Sequence, residues 1–145
     1  MKKLVLLFVC LFTMQAVAWA DDDKPITVEQ MPQRAQQFIK KHFSDSSIAL
    51  AKMESGFLSK SYDVIFTNGN KVEFDKNGEW KEIDCKYSQV PVAIIPTAIK
   101  NYITKQYPDA KILKIEKDDR GYEVKLSNGW EVKFDKKLNV IDIDR

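Results

Sequence analysis

The chain has 145 residues, with 23 Lys and Arg against 21 Asp and Glu, and two cysteines. This length suits one compact core or two small half-domains that share a core. The near balance of charge argues against nucleic acid as a partner, because binding a polyanion relies on an excess of Lys and Arg on one face.

The first 20 residues have the layout of a secretory signal peptide. Lys2 and Lys3 precede an apolar run from Leu4 to Phe12, which is too short for a spanning helix of about 20 residues. Ala18-Trp19-Ala20 then matches a cleavage site. We therefore predict a periplasmic protein that begins near Asp21 and has no stable membrane insertion. Loss of the two lysines leaves 21 basic residues, equal to the acidic ones.

The next segment predicts a helix followed by a strand. Residues 21–25 are acidic and are predicted to be a disordered terminus. Pro32 then suits the first turn of a helix, and the helical spacing of the apolar residues places one side of this helix on a core. These residues are Ala35, Phe38, Ile39 and Phe43. A strand is predicted from Ser47 to Glu54, and a loop from Gly56 to Lys60.

The rest of the chain repeats this unit. Residues 62–84 (YDVIFTNGNKVEFDKNGEWKEID) recur at an offset of 60 as residues 122–144 (YEVKLSNGWEVKFDKKLNVIDID), and the helix pattern recurs at an offset of 64. We predict a signal peptide over 1–20, a first αββββ unit over 21–85 and a second over 86–145, in one compact domain. The fold class is α+β with two layers, in which the helices cover one face of an antiparallel sheet. The pattern leaves open whether the two half-sheets join.

The Asn-Gly pairs define the strand register. A three-residue loop that ends at a left-handed Gly69 pairs Val64 with Val72 and Tyr62 with Phe74, which keeps apolar side chains on one face. The second copy follows the same rule. In the later turn Gly78 suits a left-handed position, but its counterpart is Leu138, so the second turn is predicted to move toward Asn139.

This register predicts an outward face on which a partner binds. Eight of its residues come from the two central hairpins: Asp63, Ile65, Lys71, Glu73, Glu123, Lys125, Glu131 and Lys133. Three isoleucines of the last strands are expected to add an apolar component: Ile83, Ile141 and Ile143.

With helix, strand and meander in place, residues 27–144 resemble the PepSY-like family of exported bacterial proteins, which are similar to beta-lactamase inhibitor protein. The helix QRAQQFIKKHF and the repeated hairpin sequence carry the resemblance. It implies a two-layer fold, a periplasmic location and a role in inhibition or binding. The chain departs from the inhibitor protein in its single mature cysteine and its charged outward face, so inhibition of a lactamase is not carried over.

The sequence contains no evident catalytic constellation. His42 is the only histidine and lies on the predicted helix, whereas Cys85, alone once Cys10 is removed, lies at the far end of the unit. Nucleophilic catalysis needs such groups in contact. Residues 75–78 resemble the start of a calcium loop but lack its later glutamate. Asp142 and Asp144 are expected to be solvated.

We therefore predict a non-catalytic binding or inhibitor-like module with no cofactor and no metal, which recognises an envelope protein or peptide through the open sheet face. Two alternatives remain open at this point. One is a small-ligand carrier with a cavity between helices and sheet, and the other is an envelope hydrolase that uses clustered carboxylates.

Overall fold

The structure is a computed structural model that describes residues 23–57 and 59–145. The predicted signal peptide and its cleavage before Asp21 lie outside these residues. Two helices and nine strands follow one another in the described part of the chain. They are β1 Asp23–Ile26, α1 Gln33–His42, β2 Ile48–Ser55, β3 Lys60–Phe66, β4 Lys71–Asp75, β5 Trp80–Asp84, α2 Thr97–Gln106, β6 Ile112–Asp118, β7 Gly121–Leu126, β8 Glu131–Asp135 and β9 Val140–Asp144.

The nine strands form one sheet in chain order, and every neighbouring pair is antiparallel. The two half-sheets join where β5 pairs with β6, so the duplicated units share a continuous sheet. Within the described residues, no helix is long and apolar enough to cross a membrane. The predicted α+β class is confirmed.

The prediction that residues 21–25 are disordered is wrong for residues 23–25, because they belong to the edge strand β1. Ile26 lies opposite Ala51 of β2 and packs against the core. The ammonium of Lys52 lies 2.8 Å from the Asp23 carboxylate. The acidic composition of residues 21–25 led to the wrong prediction, and Pro25 is compatible with an edge strand, where one side needs no partner.

The hairpin register is confirmed in both units. Val64 lies opposite Val72, and the equivalent Val124 lies opposite Val132. All four side chains are fully buried. Gly69 has φ +89°, as the three-residue loop requires.

The second turn of each unit is built by an aspartate. Asp75 Oδ1 accepts hydrogen bonds from the backbone N–H groups of Asn77 and Glu79, and Asp135 Oδ1 does the same for Lys137 and Asn139. The expectation that the second turn moves toward Asn139 is wrong. Leu138 itself takes the left-handed position at φ +67°. The Asp135 hydrogen bonds hold the same turn there in spite of the side chain.

Both helices cover the same face of the sheet. Ala35 and Ile39 of α1 are buried, and so are Ile99 and Ile103 of α2. Equivalent aromatic pairs link each helix to its strands. The rings of Phe38 and Phe74 are 5.6 Å apart, and those of Tyr102 and Phe134 are 5.7 Å apart, both edge to face. We call the opposite side of the sheet the outer face; no helix from residues 23–57 or 59–145 covers it.

Candidate functional site

A line of five carboxylates crosses the middle of the outer face. Asp63 lies opposite Glu73, Glu73 opposite Glu82, Glu82 opposite Glu116, and Glu116 opposite Glu123. We call these five residues the acidic row. Directly opposed residues of antiparallel strands point to the same face, and like charges in that position destabilise a sheet. The row runs through the junction of the two repeats.

Lysines from the neighbouring positions partly neutralise the acidic row. The ammonium of Lys114 lies 2.7 Å from Glu116 and 3.2 Å from Glu82. Lys81 lies 3.7 Å from Glu73. Burial acts against the charge of Lys114, but hydrogen bonds to both glutamates raise its pKa overall. Lys114 therefore stays protonated and bridges the two strands.

Asp63 closes one end of the row and is almost inaccessible, with 1% of its surface exposed. Its Oδ2 atom lies 3.3 Å from Lys71 and 3.7 Å from Lys52, while Oδ1 has no hydrogen-bond partner among the described residues. Burial raises the pKa of Asp63, and the charge of Lys71 opposes the rise. This carboxylate is covered by lysine side chains rather than presented to solvent.

Glu123 closes the other end and borders a groove of about 360 Å³. Burial raises the pKa of Glu123; the charge of Lys133 opposes the rise and that of Glu116 adds to it. Ile141, 60% exposed, lies at the same groove. The groove thus combines glutamates, lysines and one exposed apolar side chain, which suits contact with a polar peptide or protein surface.

The structure places most of the residues predicted for the partner face together on the outer face. Ile65 lies opposite Lys71, next to Asp63 and Glu73. In the second unit the outward set is Glu123, Lys125, Glu131 and Lys133, paired across β7 and β8 with opposite charges facing one another. That a partner binds these residues stays a prediction.

Two of the three isoleucines are on the other side of the sheet. Ile83 is fully buried opposite Val72 and Ile115, and Ile143 lies opposite the buried Val132. Their predicted outward orientation is wrong. Each last strand contains a β-bulge, at Lys81 and at Ile141, and one extra residue inverts the faces of those that follow.

Sequence reasoning missed Glu82, Lys114 and Glu116. All three lie on β5 and β6, whose pairing joins the repeats. The β-bulge at Lys81 turns Glu82 outward, whereas simple alternation from Trp80 would turn it inward. No local sequence pattern indicates that β5 and β6 are neighbours. Alternation along β6 around the buried Ile115 was the one available signal for Lys114 and Glu116.

Cys85 and His42, the candidate nucleophile and base, are both packed against the protein interior. Cys85 is fully buried, and burial, with a smaller effect of Asp84, raises the pKa of its thiol to about 11. The ring of His42 lies 4.7 Å from that of Phe38, and burial lowers the pKa of His42, with Lys41 adding to the effect. Neither group is poised as a nucleophile and base pair.

The acidic candidates outside the acidic row lie in a turn or on the edge strand β9. Asp75 is engaged by the backbone of its own turn. Asp142 lies opposite Lys133 on the edge strand β9, and Asp144 lies opposite Glu131. Within residues 23–57 and 59–145, no group of three or more His, Cys, Asp or Glu side chains is placed to hold a metal ion.

Comparison with known proteins connects this chain to a family. Residues 60–142 match the family model described as "Putative beta-lactamase-inhibitor-like, PepSY-like". A comparison with curated proteins gave no match.

Three crystal structures of Bacteroides proteins are similar over nearly the whole fold. A "putative calcium-regulated periplasmic protein" from Bacteroides thetaiotaomicron shares 73% identity and a TM-score of 0.86, over 87% of this chain and 99% of that one. A "putative periplasmic protein" from Bacteroides vulgatus shares 67% identity and a TM-score of 0.85, over 87% and 99%. A third, from Bacteroides vulgatus and of unknown function, shares 39% identity and a TM-score of 0.80, over 85% and 99%.

Proposed function

Because the chain belongs to the beta-lactamase-inhibitor-like, PepSY-like family, we propose that it is a non-catalytic binding or inhibitor-like module of the periplasm. Its outer face recognises a protein or peptide that carries basic residues. The predicted signal peptide supports the location, as do the names of the similar Bacteroides proteins, which describe them as periplasmic.

The acidic row is the observation that carries this proposal. Four successive cross-strand pairs, from Asp63/Glu73 to Glu116/Glu123, oppose carboxylate to carboxylate. Each such pair costs stability, of the order of a few tenths of a kcal/mol. A surface that only needed to be soluble would alternate charges, as the Glu123/Lys133 and Lys125/Glu131 pairs of the same sheet do. Residues that break a local rule of stability concentrate at functional sites.

A basic partner would relieve this repulsion. Lys or Arg side chains entering the groove beside Glu82, Glu116 and Glu123 would complete the neutralisation that Lys114 begins. Complementary charge of this kind speeds association and selects partners more than it raises affinity. The exposed Ile141 offers an apolar contact at the rim of the same groove.

Calcium is a second candidate ligand of the same surface. One 73% identical protein is described as calcium-regulated, and carboxylate oxygens are the ligands that Ca²⁺ prefers. Lys114 occupies the space between Glu82 and Glu116, so binding of Ca²⁺ there would have to displace its ammonium. Calorimetric titration with calcium chloride tests this. Heat that disappears in a Glu82→Gln/Glu116→Gln variant supports it, and absence of heat in the parent rejects it.

The main proposal is tested with a defined probe. An unstructured peptide with lysine at alternate positions is titrated by calorimetry against the protein beginning at Asp21, beside a matched glutamate peptide. We expect the lysine peptide alone to bind, and Glu116→Gln/Glu123→Gln to weaken binding about tenfold. The control is Asp45→Asn/Asp109→Asn, which changes net charge equally at exposed positions away from the row. Equal weakening by both variants, or no binding by the parent, contradicts the proposal.

A further inference from the structure

A second groove lies on the opposite side of the sheet, between α1 and the start of β5. It has a volume of about 320 Å³. This is within the lower range of volumes that hold small organic ligands. Its principal side chains are Arg34, Phe38, Lys41, His42, Trp80 and Lys117. We call it the basic groove, and it shares no face with the acidic row.

Positive charge dominates the basic groove. Arg34, Lys41 and Lys117 line it, and the one carboxylate among its lining residues is Glu79, which lies 2.6 Å from Arg34. In the described part of the chain, neither Lys41 nor Lys117 takes part in an ion pair within 4 Å. Two ammonium groups at this groove therefore have no carboxylate within 4 Å among the residues that the structure describes.

Aromatic rings form the apolar part of the groove. The ammonium of Lys117 lies 4.3 Å from the centre of the Trp80 ring, a cation–π contact that holds the charge in place without neutralising it. Phe38 packs its ring against Phe74 and lines the groove beside Trp80. Because burial and Lys41 both lower the pKa of His42, its ring is uncharged near neutral pH and adds to this apolar wall.

Comparison of the two repeats shows that the fold does not require the charged and aromatic residues found at these positions of the basic groove. The second unit places Ala98, Gln106, Asn139 and Val140 where the first has Arg34, His42, Glu79 and Trp80. Both units nevertheless form the same helix, turn and strand. Lys41 does have an equivalent in the second unit, Lys105. Arg34, His42, Glu79 and Trp80 thus have no counterpart of the same chemistry in the second unit, whereas Phe38 corresponds to Tyr102 and Lys117 comes from β6 of the second unit itself.

The geometry points to the basic groove as a binding site for a small organic anion, one in which a carboxylate, sulfonate or phosphate is attached to an apolar ring. The anionic group lies between Lys41 and Lys117, and the ring contacts Phe38 and the edge of Trp80. Lys117 borders both this site and the groove beside the acidic row, but it is the one lining residue that the two grooves share.

The probe for the test is 8-anilinonaphthalene-1-sulfonate, an aromatic anion whose fluorescence rises when its ring leaves water. We expect saturable binding at one site, with shifts of the Trp80 indole N–H signal in heteronuclear NMR spectra. Lys41→Glu should raise the dissociation constant about tenfold, and so should Lys117→Met. Inorganic phosphate, which lacks an apolar ring, should compete only weakly.

Lys105→Glu is the matched control, because it makes the same charge change at the equivalent exposed position of α2. It should leave the dissociation constant within about twofold of the parent. Lys41 is exposed, so its variant is expected to fold, which circular dichroism verifies. The assignment is overturned if the parent shows no saturable binding, if Lys41→Glu binds like the parent, or if Lys105→Glu weakens binding equally.

Discussion

Glu82 and Glu116 lie directly opposite each other at the junction of the two repeats, and the ammonium of Lys114 lies within 3.2 Å of both. The strand pairing that makes one sheet from two units therefore carries an electrostatic conflict on its outer face. A single lysine from β6 compensates it. Substitution of Lys114 tests how much this lysine offsets the repulsion between Glu82 and Glu116.

Loss of Lys114 should destabilise the junction. Lys114→Met keeps the aliphatic stem but leaves Glu82 and Glu116 without their shared counterion, so we expect the free energy of unfolding to fall by about 1 kcal/mol. Urea unfolding followed by circular dichroism measures this.

Lys125→Met is the matched control for that change. Lys125 lies opposite Lys114 and is 3.8 Å from Glu131, at a more exposed position. Its loss should alter the free energy of unfolding by less than about 0.5 kcal/mol. An equal effect of the two variants would mean that Lys114 has no special role at the junction.

The raised pKa of Glu123 predicts an unusual dependence of stability on pH. Burial makes the folded protein hold the Glu123 proton more readily than the unfolded chain does. The free energy of unfolding therefore falls as the pH rises from the ordinary glutamate pKa of about 4.3 through the raised pKa of Glu123, because the half-buried carboxyl group must ionise. Glu123→Gln should be more stable than the parent near about pH 7, and the advantage should shrink as pH falls to about 4.

Asp135→Asn should show the opposite sign in the same urea titrations. The backbone N–H of Asn139 is the main cause that lowers the pKa of Asp135, so its charge favours the folded state at neutral pH. That benefit is lost as pH falls through the folded pKa. If Glu123→Gln gained nothing near neutral pH, the surroundings assigned to Glu123 would be incorrect.

Gly78 should tolerate a side chain much less well than Gly129. Both residues have positive φ, +83° and +91°, so an added methyl group costs each about 1 kcal/mol of backbone strain. A Cβ at Gly78 would also lie 2.9 Å from the Ala35 nitrogen and from the Pro32 Cβ. A Cβ at Gly129 would meet no described residue within 4 Å other than its chain neighbours. Thermal unfolding should show Gly78→Ala to be less stable than Gly129→Ala by about 1 kcal/mol or more. Equal losses would place α1 farther from the turn than the structure does.

The Cys85 thiol should be inert in the folded protein. It is fully buried, and its pKa of about 11 leaves little thiolate near neutral pH. Reaction with a disulfide reagent should be about a hundredfold slower than for an exposed thiol introduced by Thr104→Cys in a Cys85→Ala background. Denaturant should remove the difference. Rapid labelling of the folded parent would exclude a purely structural thiol.

Local patterns predicted the hairpins because their information lies within a few residues of each turn. The Asn-Gly pairs and alternating apolar residues were sufficient to pair Val64 with Val72. The error at Ile83 has a specific cause, since the β-bulge at Lys81 breaks the alternation that begins at Trp80. The acidic row could not be predicted because its central pair, Glu82 and Glu116, depends on a long-range strand pairing.

The most direct test of the proposed function is a comparison of what the protein retains from the native envelope. The parent, Glu116→Gln/Glu123→Gln and Asp45→Asn/Asp109→Asn are immobilised at equal density, and bound proteins are quantified by mass spectrometry. We expect a basic partner that the parent and the Asp45/Asp109 variant retain equally and that the Glu116/Glu123 variant loses. Equal retention by all three proteins, or a partner that ignores the outer face, would contradict the proposed function.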